Sequence, residues 1–140
     1  MTNQRALQLL VLLLRFSGGV LVLAFGAVLL PTEWMAAGHR WLGMGEFPRA
    51  PLTDYLVRSI SLLYGFHGVL YFLVASEPVR YQRIVRYLGV MCVVFGLLMV
   101  AIDLRAGMPT MWTMLEGPPL VGGGFLVLYL LGRATATPDR

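Results

Sequence analysis

The run Leu7 to Leu30, LQLLVLLLRFSGGVLVLAFGAVLL, decides the class of this chain. It holds one ionisable side chain, Arg15, and stops at Pro31. Coiled as an α-helix, about 20 such residues cover the ~30 Å of hydrocarbon in a bilayer. Three more apolar runs follow. Tyr55 to Ala75 is closed by Glu77-Pro78, Ile84 to Leu104 is followed by Gly107 and Pro109, and Thr110 to Gly132 contains Gly117-Pro118-Pro119. The runs are continuous rather than alternating, which argues against the strands of a membrane barrel. The expected fold is all-α: a four-helix transmembrane bundle, one domain over residues 1–140, with spans near 7–30, 55–75, 84–104 and 110–132.

Composition agrees with that reading. Of the 140 residues, 58% are hydrophobic and 13% charged. A soluble domain of this make-up would hold a large apolar surface in water, whereas lipid solvates the same surface. All eleven basic residues are arginine, and a net charge of +4 is spread too thinly for a nucleic-acid surface. The single cysteine, Cys92, excludes an internal disulfide or a Cys-x-x-Cys pair, and His39 and His67 share no metal-ligand spacing. No metal and no cofactor is therefore expected. Ser-His-Asp arrangements, P-loops and dinucleotide glycine patterns are also missing, so no catalytic residue is assigned and the chain reads as non-enzymatic.

Arginine placement orients the bundle. With the N-terminus inside, Arg5, Arg80, Arg83, Arg86, Arg133 and Arg140 fall on the cytoplasmic side. Arg40, Arg49 and Arg105 fall outside, with Arg58 just within the second span. The bias predicts both termini on the cytoplasmic side. Trp34, Trp41 and Trp112 then share the outer interface. Arg5 offers a short basic region ahead of the first run. That run is nevertheless too long for a signal peptide, is interrupted by Arg15, and ends in Leu-Leu-Pro without small residues for cleavage. It reads as a span.

The longest connection, Pro31 to Thr53, has its own pattern. Thr32 can cap a short interfacial helix that carries Trp34, Gly38 and Trp41 on one face, with His39 and Arg40 beside it. Gly43, Gly45, Pro48 and Pro51 then make an irregular return, and Thr53 can cap the second span. Residues 134–140 are expected to be a disordered tail.

Helices in lipid associate through small residues and polar contacts. Each span offers one stripe of them. The first carries Arg15, Gly19, Val22, Gly26 and Glu33; the second Asp54, Arg58, Ser61, Gly65, Gly68 and Phe72. The third carries Gly89, Cys92, Gly96, Met99 and Asp103 on a heptad seam; the fourth Trp112, Glu116, Pro119 and Gly123. Facing one another, the stripes bring Glu33, Arg58, Asp103 and Glu116 to the outer helix ends, with Arg105 close by. Asp103 is short and sits in the last turn of its helix, where the dipole disfavours a negative charge. It calls for a cation, Arg58 first and Arg105 second.

These five residues are either an inter-helix brace or the lining of a polar pocket open to the outside. Pro118 and Pro119 cannot donate to the carbonyls of Met114 and Leu115, so the fourth helix is expected to kink or start late at the same depth. A second polar group lies deeper: His67 with Tyr64 and Tyr71, and Arg15 and Cys92 at comparable depth. The ordinary role for such a histidine is a neutral ring bonded to a tyrosine or a carbonyl.

Three runs carry a resemblance: Trp41-Leu-Gly-Met-Gly-Glu-Phe-Pro, Tyr55-Leu-Val-Arg-Ser-Ile-Ser-Leu-Leu-Tyr-Gly, and Ile102-Asp-Leu-Arg-Ala-Gly-Met-Pro with Trp112-Thr-Met-Leu-Glu-Gly-Pro. In these the chain resembles a family of uncharacterised small four-span bacterial integral membrane proteins, loosely DoxX-like. The DoxX likeness implies a link to quinone or redox membrane complexes. The chain has no paired cysteines that would strengthen it. Size and span count also resemble small multidrug transporters, but Arg15 stands where those carry an acid.

The functional expectation is a non-enzymatic accessory subunit, or a binder of a small amphipathic molecule at the outer polar pocket. A small oligomeric transporter is the alternative, and a quinone-linked redox subunit the next. Expected partners are the lipid bilayer and a homo-oligomer or larger membrane complex, with no nucleic acid.

Overall fold

The structure is a computed structural model that describes residues 2–136. Six helices follow one another: α1 Asn3–Val22, α2 Ala24–Leu29, α3 Thr32–Trp41, α4 Pro51–Ser76, α5 Gln82–Ala106 and α6 Thr110–Thr135. Four stretches are long and apolar enough to cross a membrane: Asn3–Leu29, Pro51–Ser76, Gln82–Ala106 and Thr110–Thr135. The molecule is an all-α, multi-pass membrane bundle. One end carries the start of α1, the end of α6 and the α4–α5 turn, and is called the terminal end below. The other carries α3 and the α5–α6 connection, and is called the loop end.

Local chemistry sets the element boundaries. Thr2 caps α1 by accepting the Arg5 N–H, at 3.4 Å. At Leu23 the helix tightens by one turn, Gly26 N–H bonding the Leu23 carbonyl at 2.9 Å, and α2 carries the same span on to Leu29. Neither threonine acts as the expected cap. Pro31 precedes α3, and Thr32 is its first helical residue. Pro51 opens α4, its fixed φ and missing N–H suiting a first helical position, so α4 begins before Thr53. Gly107, at φ +68°, ends α5; the N–H groups of Gly107 and Met108 both return to the Asp103 carbonyl before Pro109 blocks continuation. Helix α6 runs through Thr135, so the expected tail is helical at its first two residues, and residues 137–140 lie outside the described residues.

Burial is lopsided. Leu10 and Leu14 of α1, Tyr71, Val74 and Ala75 of α4, Val85 and Leu88 of α5, and Val127, Leu130 and Leu131 of α6 form one core. All belong to the terminal half of the bundle, where Asn3 also donates to the Ala136 carbonyl at 2.7 Å. Towards the loop end the bundle resolves into two antiparallel pairs, α1 and α2 on α4, and α5 on α6. The three buried polar side chains among the described residues, Ser61, Asp103 and Thr113, all lie in that half.

Glycine makes both pairs intimate. On α5 and α6, Gly89 faces Gly124 and Gly96 faces Gly117, each pair one heptad from the next. A Cβ on Gly124 would stand 2.6 Å from the Gly89 carbonyl oxygen, and one on Gly96 would stand 2.8 Å from the Gly117 oxygen. Gly68 likewise meets the Gly18 carbonyl, and the Phe25 ring lies against Gly65. Backbones this close gain dispersion contacts that lipid cannot match.

Two of the four expected stripes are displaced. The α5 stripe buries Gly89, Gly96 and Asp103, and α4 buries Ser61, Gly65 and Gly68, although Tyr71 rather than Phe72 continues it. On α1 the packed line is Ala6, Leu10, Leu14 and Gly18; nothing approaches Gly19 or Gly26, and Arg15 is exposed. On α6 it is Thr113, Gly117, Gly124 and Val127, with Gly123 free of neighbours and Pro119 exposed. Each shift is one residue, or about 100° around the helix.

Candidate functional site

Arg58 does not reach Asp103. Its Nε–H donates to Asp54 Oδ2 at 3.0 Å, one turn back on the same helix. Its Nη1–H donates to the Val28 carbonyl and its Nη2–H to the Leu30 carbonyl, the latter at 3.3 Å. Those carbonyls belong to the end of α2, where no further turn supplies donors. Thr32 closes the group by donating to Asp54 Oδ1 at 3.5 Å. The guanidinium thus pins the corner between α2 and α3 to α4. The signal was in the sequence as Asp54-x-x-x-Arg58, the spacing that brings opposite charges together on one helix face. Replacing Arg58 by Gln is expected to loosen this corner alone: amide hydrogen exchange should accelerate over residues 24–41 and stay unchanged in α5 and α6.

With Arg58 engaged, the acids of α5 and α6 are left to each other. Asp103 is 2% exposed, and its Oδ2 has no hydrogen-bond partner. Glu116 is half-buried, and its Oε2 is likewise buried and unpartnered. The two carboxyls lie within electrostatic reach of one another, with the Trp112 indole beside Glu116 and the Tyr64 ring of α4 close enough to sense its charge. The ion pairs among the described residues are Arg40–Glu46, Arg58–Asp54 and Arg80–Glu77, and none includes either acid. Arg105 is exposed. It lies two residues from Asp103, which turns it to the far side of α5. Arg133 sits at the opposite end of α6. The expected brace, Asp103 with Arg58 or Arg105, is therefore absent.

The remaining residues sort by position. Glu33 is exposed in the first turn of α3, apart from the acid pair. Trp34 and Trp41 on the same helix are 69% and 78% exposed, placing indole rings where an interface would receive them. His39 of α3 folds the return loop back, its Nδ1 3.1 Å from the Gly45 carbonyl and its ring edge-on to Phe47. Deeper in, the His67 ring meets Tyr71 edge-to-face at 5.4 Å, and the Tyr71 hydroxyl lies 3.2 Å from Cys92 Sγ. The deep group is thus His67, Tyr71 and Cys92. Arg15 stays on the exposed face of α1, and Tyr64 belongs with Glu116.

Helix α6 is not interrupted. It starts at Thr110 and continues through Pro118 and Pro119, both exposed. The prolines still withhold two donors, so the turn carrying Glu116 presents the Met114 and Leu115 carbonyls without their usual partners. Buried carboxyls, bare carbonyls and two aromatic rings thus share one depth. Glu116 lies six residues into α6, about 9 Å along its axis. Among the described residues no three His, Cys, Asp or Glu side chains gather as metal ligands would. Searches with this chain match no family model, no curated protein and no solved structure.

Proposed function

We propose that this protein binds a small amphipathic molecule at the loop end of its bundle, between the α1–α4 and α5–α6 pairs. The observation that carries the reading is the pair of buried, unpartnered carboxyl oxygens, Asp103 Oδ2 and Glu116 Oε2. A desolvated polar atom without a partner costs about 1–3 kcal/mol, more when charged, and a bundle held by glycine seams has no structural need of it. A ligand supplies the missing partner. The arginine bias supports an orientation with both termini in the cytoplasm of a bacterial inner membrane, so that the site faces outward.

The test is chemical. Wild-type protein and the double variant Asp103→Asn, Glu116→Gln are purified in mild detergent and their organic extracts compared by mass spectrometry. A small molecule present at near-stoichiometric level with wild type and missing from the folded double variant is the expected outcome. Identical extracts from the two proteins overturn the reading.

A further inference from the structure

We propose that the molecule held at Asp103 and Glu116 is an amphipathic organic cation. This rests on the binding reading above and gives the ligand its charge. Two carboxyls within electrostatic reach, one of them 2% exposed and each with a buried unpartnered oxygen, make an acidic centre that no ion pair among the described residues neutralises. Asp103 Oδ2 is the independent mark of a ligand: a side chain almost wholly buried, with an acceptor that nothing fills. Asp103 stands one heptad beyond Gly96 on the packed α5 line and Glu116 beside Gly117 on α6, so both carboxyls adjoin the seam at its loop end, where close packing calls for no acid.

The surroundings select the kind of cation. Sodium or a divalent ion sheds its hydration shell only for a cage of several oxygen ligands. Here no group of three acidic, histidine or cysteine side chains forms among the described residues. An organic cation spreads its charge, is weakly hydrated and accepts a less complete shell. Tyr64 and the Trp112 indole stand near Glu116 and add aromatic surface of the kind that attracts such a charge. The apolar side chains that line the helices towards lipid suit the hydrophobic part of the ligand, which enters from the bilayer.

Two probes of nearly the same shape test the charge: methyltriphenylphosphonium, a cation, and triphenylphosphine oxide, which is neutral. Binding is measured by equilibrium dialysis against the full-length protein in phosphatidylcholine nanodiscs, with empty nanodiscs subtracted. The phosphonium is expected to bind saturably, the neutral probe at least about tenfold more weakly. Glu116→Gln and Asp103→Asn should each weaken the phosphonium by about tenfold or more, whereas Glu33→Gln, an exposed acid at the same end, should leave it unchanged. Thermal unfolding of every variant shows that the fold persists.

If the neutral probe binds as well as the phosphonium and loses affinity on Glu116→Gln, the charge assignment is overturned and the binding reading stands. If neither probe binds and extracts of wild type and the double variant are identical, both fall. Glu116-dependent binding of sodium without phosphonium binding also overturns the organic cation.

Discussion

Gly124→Val is expected to cost about 3 kcal/mol or more and to leave little folded protein. A Cβ at this position would meet the Gly89 carbonyl oxygen at 2.6 Å and the Val93 amide nitrogen at 2.9 Å. Those are backbone atoms of a 25-residue helix and cannot swing aside as a side-chain tip would. The whole of α5 must therefore move off α6, and the Gly96–Gly117 contact one heptad away opens with it. Gly122→Val, two residues earlier on the same helix with nothing within 4 Å, supplies the control and should be tolerated. Both would lose similar backbone freedom, so the difference isolates packing. The measurement is unfolding in detergent, followed by far-ultraviolet circular dichroism. Equal behaviour of the two variants would refute the seam.

Asp103→Leu should act in the opposite direction. Leucine has the same branching at Cγ as aspartate, and it removes a buried carboxyl that has an unpartnered oxygen and no ion pair among the described residues. Exchanging buried ionic groups for apolar ones of similar volume is often stabilising, by about 1–4 kcal/mol, and the lower half of that range is expected here. Had the residue been a brace with Arg58, the same change would have stranded a guanidinium and destabilised the protein. The sign of the shift in unfolding midpoint therefore decides between brace and site. A stabilised variant that has lost its ligand is the familiar exchange of stability for function at a site.

The spans were legible because their apolar runs are long and turn signals separate them. The glycines of α5 were legible too, since Gly89, Gly96 and Asp103 are seven apart and no neighbouring glycine competes. On α6 three consecutive glycines, Gly122 to Gly124, offer three faces, and small size alone does not say which one meets a partner. Gly18 and Gly19 pose the same ambiguity on α1. The arginine was misjudged for a different reason. Grouping charges by depth set Arg58 beside Asp103, whereas the nearer acid on its own helix and the open carbonyls of α2 compete more effectively. Asp103 stands out in the sequence as an acid in want of a cation, but that neither it nor Glu116 enters an ion pair among the described residues is a three-dimensional fact. It depends on where α2 ends, which no feature of α5 or α6 reveals.

The three residues Gly107 to Pro109 separate the two helices that share the tightest seam. So short a connection makes their encounter nearly free of loop-closure entropy. The α5–α6 hairpin can therefore zip up as soon as both segments have left the insertion machinery. Helix α1 must wait in lipid for α4, with α2, α3 and the return loop synthesised between them. The order expected from these connection lengths is docking of two preformed halves, with the terminal-end core the last part to close. Lesions in the Gly18–Gly68 contact should accumulate as undocked, protease-sensitive chains, whereas lesions in the Gly96–Gly117 contact should fail before docking begins.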